Sequence, residues 1–395
     1  MTPCRLFLVK QRMKKVCIFN YPPIGSFHDY HIETFDPLPY FANNARASIG
    51  EILLNGLNAR RARRQAIQYP AGVDKLYRER DPRYMQMVDE FVNRFADFDL
   101  IVMSTYNFIH PDVFSCSLKN PIKILGFIDD PISTYDKIPH LWAFDGAFYI
   151  SPGYRDGQLM KDALRNWGCS SVYWRPLTHL NNCQRPPNPD DAFFRQRTTD
   201  LIYVGGDYGA KISRLLKFKK YFDRRFQVYG RWPLKGYSGF AKRLIGKRGF
   251  PYRVRSLTHD ERTRWYWNSR IGLNMHYSER PSETGNVRMY EVPAHGAMLL
   301  CDKATHDSHS LIFEPDVEAV YYDSTRDAID RAEYYLAHEE ERIDIAKAGY
   351  ARFWRDYEPG KTLKDFLDWA VTVPRKRLAV TPAKRIDPIG NAAIK

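Results

Sequence analysis

The chain has 395 residues, 44% hydrophobic and 14% aromatic, with 60 Lys and Arg against 46 Asp and Glu for a formal net charge of +14. That length exceeds one ordinary core and predicts two domains of about 150 to 200 residues. The composition excludes a disordered chain, and no apolar run approaches the ~20 residues that span a bilayer.

The first strong apolar segment, KKVCIFNY, predicts a strand, and PPIGSFHDY after it reads as a loop with Gly25 at a tight point. ARASIGEILLNGLNARRARRQAI has helical spacing in its first half and ends in the cluster Arg60, Arg61, Arg63 and Arg64, where cations suit a helix C-terminus. RYMQMVDEFVNRFADF predicts a helix, and DLIVMST the strand it delivers. IKILGFID is the next strand, closed by Asp129, Asp130 and Pro131, since proline ends pairing. FDGAFYIS, a helix from about Gly157 to Trp167 and SSVYWRPL complete a first alternating pattern. Such alternation favours parallel sheets with right-handed crossovers. Pro186, Pro187 and Pro189 mark the break before a second pattern.

That pattern opens with LIYVGG, a helix from Ala210 to Tyr221, and FQVYG. YWNSRIGLNMHY follows, and then Ser282 to Asp302, SETGNVRMYEVPAHGAMLLCD, the most informative stretch of the chain. Glu283 and Glu291 are separated by seven residues in it, with Gly285 and Asn286 behind the first and Gly296 behind the second. A helix starting near Gly285 or Asn286 offers backbone N–H groups and a positive dipole end to a diphosphate. Glu291 then lies a turn and a half inside, in reach of ribose hydroxyls. Arg288, in the first turn, opposes the dipole unless an anion sits beside it. Ser324, Thr325 and Asp327 form a capping signal for a long helical region, and LKDFLDWAV predicts one more helix before a tail rich in Lys, Arg and Pro.

Charge is concentrated. Lys211 to Arg270 holds 18 Lys and Arg against Asp223, Asp260 and Glu261, a local excess of +15. Lys242, Arg243, Lys247 and Arg248 lie among interleaved aromatics there, a pattern suited to DNA, RNA or anionic lipid as well as to a solvated basic loop. The six cysteines form no CxxC, which favours reduced thiols over a structural zinc. MTPCRLFLVKQRMKK has too short an apolar patch for a signal peptide, so a cytoplasmic location is expected, with peripheral membrane contact left open.

The order of these segments resembles GT-B glycosyltransferases, in particular the group similar to the spore-maturation protein CgeB. NVRMYEVPAHGAMLLCD, LIFEPDVEAVYY and YLAHEEERIDIAKAGY carry the likeness, LIYVGGDYGAK and FQVYGRW extend it upstream, and GFIDDP matches the partner half. The resemblance implies an α/β protein of GT-B architecture: two Rossmann-like domains facing across a cleft, with a C-terminal helix packing back on the first. The expected limits are residues 1–180 for an acceptor-side domain, 181–200 for a linker, 201–358 for a nucleotide-sugar domain, 359–373 for the crossover helix and 374–395 for a basic tail.

By the same resemblance Glu291 binds ribose, Glu283 contacts the donor sugar, and Gly285, Asn286 and Val287 meet the diphosphate through backbone, with Arg288, Lys211 and Arg231 as cationic neighbours. The residues between the two glutamates depart from the commoner family-4 pattern, which leaves the sugar open. Asp129, Asp130 and His28 are candidates to orient or deprotonate an acceptor, because residues after parallel strands reach the carboxyl edge where ligands bind. The expected activity is hexosyl or pentosyl transfer from a nucleoside diphosphate sugar, UDP foremost, without metal or other cofactor. DNA or another polyanion is a candidate acceptor. A nucleotide-sugar epimerase or hydrolase of the same fold, and a nucleic-acid-binding protein with a vestigial donor site, stay open beside it.

Overall fold

The computed structural model describes residues 12–19, 21, 24–37, 40, 71–104, 108–116, 118–128, 137–154, 157–178, 183–206, 209–230, 254–276 and 281–376. Two compact units divide the chain, one of Met1–Gly126, Tyr135–Ala147 and Ala370–Lys395, the other of Phe127–Thr134 and Phe148–Trp369.

The first sheet contains β1 (Lys14–Phe19), β2 (Gly25–Phe27), β3 (Tyr30–Phe35), β4 (Leu100–Met103), β5 (Ile122–Phe127), β6 (Gly146–Tyr149) and β7 (Val172–Trp174), in the order β2-β3-β1-β4-β5-β6-β7. β1 runs parallel to β3 and β4, and β4 parallel to β5. Helices α1 (Ala71–Arg78), α2 (Pro82–Phe95), α3 (Pro111–Cys116) and α4 (Met160–Asn166) connect them. α2 begins as its sequence dictates: Asp81 accepts hydrogen bonds from the N–H groups of Arg83 and Tyr84, and Pro82 needs no acceptor at the first position. Its buried face, Tyr84, Met87, Val88, Phe91 and Phe95, has helical period. β4 and β5 are buried along their whole length, as central parallel strands are. Lys123 in β5 is tolerated there because its ammonium meets Asp145 at 2.9 Å.

One segment departs from the sequence reading. PPIGSFHDY reads as a loop, yet Gly25–Phe27 pairs antiparallel with Tyr30–Phe35, and His28 and Asp29 form the turn between them. Lys14 pairs with Tyr30, and its N–H bonds the Asp29 carbonyl, so this turn sits at the amino end of β1. His28 is therefore not at the carboxyl edge, and its candidacy as an acceptor-orienting residue is withdrawn. It is exposed, with a φ of 50°.

The second sheet contains β8 (Thr199–Val204), β9 (Phe226–Tyr229), β10 (Ser269–Asn274), β11 (Met298–Asp302) and β12 (Val320–Tyr322), in the order β12-β11-β10-β8-β9, with every neighbouring pair parallel. Its helices are α5 (Asp191–Arg195), α6 (Gly209–Phe222), α7 (His259–Trp267), α8 (Val287–Ala294), α9 (Thr325–Ala337), α10 (Glu339–Asp356) and α11 (Pro359–Ala370). α6 and α9 pack on one face of the sheet, α7 and α8 on the other. Ser324 caps α9 by accepting from the Asp327 N–H at 3.1 Å, as the capping signal predicts. The long helical region is two helices, broken at His338. α11 lays Phe366 against Phe148 of β6 and Tyr173 of β7, with ring centroids 5.0 and 5.8 Å apart.

Gly272 lets α8 lie close on β10. A Cβ there would stand 2.5 and 2.6 Å from the two Val292 methyls, and a branched side chain has no free end to swing away. Gly272→Ala is expected to lower unfolding stability by about 1–3 kcal/mol through overpacking. Adding Val292→Ala should recover most of that loss in urea unfolding; equal stability of Gly272→Ala and wild type would mean that α8 moves without cost.

Candidate functional site

β8 leads through α6 to β9 at one edge, and the chain then crosses back to place β10 on the other side of β8. Strand order reverses between β8 and β10, and in open α/β sheets the crevice at such a point, outside the carboxyl ends, is where ligands bind. Val204 and Asn274 end these two strands.

Arg288, from the first turn of α8, spans that crevice. Its guanidinium donates to the Val204 carbonyl at 3.1 Å, to Asn274 Oδ1 at 3.0 Å and to the Met275 carbonyl at 3.2 Å. It also lies over the Tyr203 ring, 5.0 Å from its centroid. The charge that by its helix position calls for a phosphate is directed at strand-end carbonyls. Gly205 is a glycine because a Cβ would run into Arg288 Nη1 and the Tyr203 hydroxyl.

Around this clamp the protein gathers further charge. Lys211, third residue of α6, is 5% exposed. Burial pushes its pKa down to about 7, helped by Arg288 and Arg214, against the pull of Asp302 and Glu283. Asp302, at the end of β11, accepts from His276 Nδ1 and from the His276 N–H, each at 2.7 Å, and from Arg214 Nη1 at 3.1 Å. Burial alone would raise the Asp302 pKa, but His276 and Arg214 outweigh it and hold the carboxyl below its ordinary range. His276, Cys301 and Asp302 bring donor-type atoms within 4.8 Å of one another. The carboxylate is already taken up by Arg214 and His276, and burial pushes the Cys301 thiol well up, so the set is poorly suited to a cation.

α8 starts where the sequence predicts. Asn286 is its N-cap, and the Asn286 side chain accepts from the N–H groups of Arg288 and Met289 at 3.1 and 3.3 Å. The N–H groups of Asn286 and Val287 meet no protein acceptor among the described residues. Gly285 has a φ of 80°, and a Cβ would come within 2.8 Å of the Ile150 carbonyl, so only glycine fits. The Thr284 N–H is held by Ser151 Oγ at 3.0 Å. Glu283 is half-buried, within electrostatic reach of Lys211.

Glu291, the fifth residue of α8, is 3% exposed. Burial raises its pKa to about 7, with Arg262 and Arg288 opposing. Arg262 on α7 brings Nη1 to 3.2 Å from Oε1, and Oε1 is buried without a hydrogen bond. Arg262 is not among the sequence candidates, although Thr258 and Glu261 form a capping box that announces its helix. Asp129, Asp130, Arg231, Lys242, Arg243, Lys247 and Arg248, like the cluster Arg60 to Arg64, lie outside the described residues.

Residues 211–368 match the model of a family described as Glycosyl transferase-like. Among solved structures, Anabaena HepE in complex with UDP-glucose superposes with a TM-score of 0.56 at 12% identity, over 90% of this chain and 98% of that one. Sucrose-phosphate synthase from Thermosynechococcus elongatus gives 0.57 at 11% identity, over 90% and 98%. An alpha-glucosyltransferase in complex with UDP-glucose and DNA containing an abasic site gives 0.53 at 10% identity, over 90% and 99%. At such identities the likeness is one of fold, and the fold is GT-B with two Rossmann-like domains, as the motif order implies. A search of curated proteins finds no match.

The buried carboxyl has a consequence for stability. Glu291 binds more protons folded than unfolded between the ordinary glutamate value of 4.5 and about 7, so its burial costs more as pH rises through that window. Glu291→Gln, which mimics the protonated form, should lie within about 1 kcal/mol of wild-type stability near pH 5. By pH 8 it should exceed wild type by on the order of 3 kcal/mol, since each pKa unit is worth about 1.4 kcal/mol. Parallel urea unfolding at the two pH values checks this, and a difference independent of pH would contradict the assignment.

Proposed function

We propose that the chain is a glycosyltransferase of the CgeB-like group, moving a sugar from a nucleoside diphosphate sugar, UDP foremost, to an acceptor hydroxyl. The observation that carries this reading is the pairing, on one short helix, of two open backbone N–H groups at Asn286 and Val287 with a buried carboxylate at Glu291, beside Lys211 and at the switch point of a parallel sheet. The amino end of α8 and the Lys211 ammonium suit the two phosphates, and Glu291 suits the ribose hydroxyls. Glu283 contacts the sugar on this reading, and Gly285 keeps the backbone close to the phosphates. Arg288 serves indirectly, by holding β8 and β10. Support also comes from the Glycosyl transferase-like match over 211–368 and from the UDP-glucose bound in similar folds.

Transfer needs the leaving diphosphate stabilised, and preorganised donors in a dry site do this most effectively. Lys211 and the α8 terminus are the groups available for it, without a metal. Residues 201–358 carry the donor half on this reading and residues 1–180 the acceptor side, with Asp129 and Asp130 to orient the incoming hydroxyl and Arg231 as a further phosphate neighbour. Glu291→Ala should weaken UDP binding by about tenfold or more, the loss expected for hydrogen bonds to a charged group, while the thermal transition is kept. Calorimetric titration tests it, and unchanged affinity in a folded variant would remove Glu291 from the site. Turnover of a UDP-sugar only when an acceptor is added separates a transferase from an epimerase or hydrolase.

A polyanionic acceptor is favoured by the charge of 211–270 and by a groove of about 440 Å³ lined by Lys217, Lys220, Tyr221, Arg326 and Ile329. One similar fold was solved with DNA containing an abasic site. Charge reversal at Lys242, Arg243, Lys247 and Arg248 should impair transfer to a polyanion, most strongly at low salt, and spare donor hydrolysis. Acceptor kinetics unmoved by the reversal would mark the stretch as a solvated surface.

A further inference from the structure

The carboxylate that suits the ribose is enclosed, and enclosure works against its charge. A buried Asp or Glu survives as an anion only beside a compensating cation, and an isolated one takes up a proton instead. Once protonated, Glu291 would offer one donor and weaker acceptors, and could no longer receive two ribose hydroxyls.

The groups that act on Glu291 come from three places. Arg262 and Tyr266 reach it from α7, Arg288 and His295 belong to its own helix, and Cys183 approaches from the segment before α5. Tyr266 and Cys183 are neutral, with burial pushing both pKa values up. His295 Nδ1 is taken by the Glu291 carbonyl at 2.6 Å, and burial lowers its pKa to about 4, so it brings no charge at neutral pH. Arg288 is committed to Val204, Asn274 and Met275. Arg262 is the cation whose guanidinium touches the carboxylate, at 3.2 Å from Oε1, with side-chain exposures of 22% for Arg262 and 4% for Glu291. It is held from its other side as well. Nη2 lies 3.0 Å from His259 Nδ1, which accepts from it, so a neutral His259 carries its proton on Nε2. Burial and the nearby Arg262 both keep His259 from charging. α7 is fixed by its capping box, so Arg262 is delivered to Glu291 by a rigid element.

We infer that Arg262 is a positioning residue for donor recognition: it keeps Glu291 an acceptor for both ribose hydroxyls, and thereby sets the preference for ribonucleotides over 2′-deoxyribonucleotides. The inference rests on the donor-site reading above. It separates two jobs on α8 that share one ligand, since the phosphates are met by the helix start and Lys211 and only the ribose depends on Arg262.

The test is equilibrium binding of UDP and of 2′-deoxy-UDP to the full chain between pH 6 and 9.5, expressed as the ratio of the two affinities. The ratio cancels the titration of the phosphates and of Lys211, which both nucleotides share. In wild type it should rise through about pH 7 and then level. In Arg262→Gln the rise should move up by about one to two pH units, within the effect of an adjacent cation on a carboxyl. The ratio at pH 7 should then fall about tenfold toward one and recover in alkali. Arg262→Lys keeps the charge and should hold the rise near its wild-type position, which also covers the case in which Arg262→Gln does not fold. A ratio unaltered by Arg262→Gln, one lost at every pH without recovery, or a rise that Arg262→Lys displaces by a full pH unit or more on this scale, would each overturn the role of Arg262. A wild-type chain that binds neither nucleotide overturns the donor-site reading itself, and the inference with it.

Discussion

The carboxyl edge of the second sheet depends on how Arg288 is used. At the reversal point the helices after β8 and β10 leave on opposite faces, so α6 and α8 cannot both cover the strand ends between them. A guanidinium with five donors in a fixed fork fills that gap, taking Val204, Asn274 and Met275 at once. Loss of it would leave acceptors without partners, each costing about 1–3 kcal/mol where buried. Its unfavourable position in the first turn of α8 is offset by these three contacts. The clamp then shapes the electrostatics: with Arg214 it adds to the burial that depresses Lys211, which on the donor-site reading leaves a cation ready to regain its full charge beside an entering anion.

What could be read from the sequence was what local physics decides. The start of α8 was legible because Asn286 is a good N-cap and Gly285 takes a left-handed φ, both properties of single residues. The end was legible for the same reason, with Gly296 at a φ of 73° after the last turn. Central strands such as β4 and β8 announced themselves by continuous apolar runs, LIVM and LIYV. The β2–β3 hairpin did not, since HIETF is partly polar and the turn is His-Asp in place of the Asn-Gly or Asp-Gly that marks a two-residue loop. Missing it put His28 at the wrong end of β1.

The partners of the site residues were not legible, because they are long-range. Arg288 and Val204 are 84 residues apart, and Arg214 and Asp302 are 88 apart. From sequence Arg288 could be given only the partner its helix position suggested, an anion. Arg262 was hidden differently. Its capping box was present, but in a stretch with 18 Lys and Arg one arginine is not distinguishable from the others without knowing what each one faces. Charge density thus predicted a surface, while the arginine paired with the candidate carboxylate is directed inward.

Burial acts on the two ends of the candidate site in opposite senses. It lowers Lys211 to about 7 and raises Glu291 to about 7, so both groups give up part of their charge near neutral pH. On the donor-site reading a nucleoside diphosphate reverses both shifts. Phosphate oxygens favour the ammonium and draw a proton onto Lys211, and ribose hydroxyls favour the carboxylate and release one from Glu291. The two transfers nearly cancel in the overall proton balance, yet each strengthens its own contact, because a hydrogen bond to a charged group is worth about twice a neutral one. Selectivity then arises from the ligand itself. A bare pyrophosphate can restore only Lys211 and a bare nucleoside only Glu291, so on this reading the site favours a molecule that carries both groups at once, spanning Lys211 on α6 and Glu291 on α8.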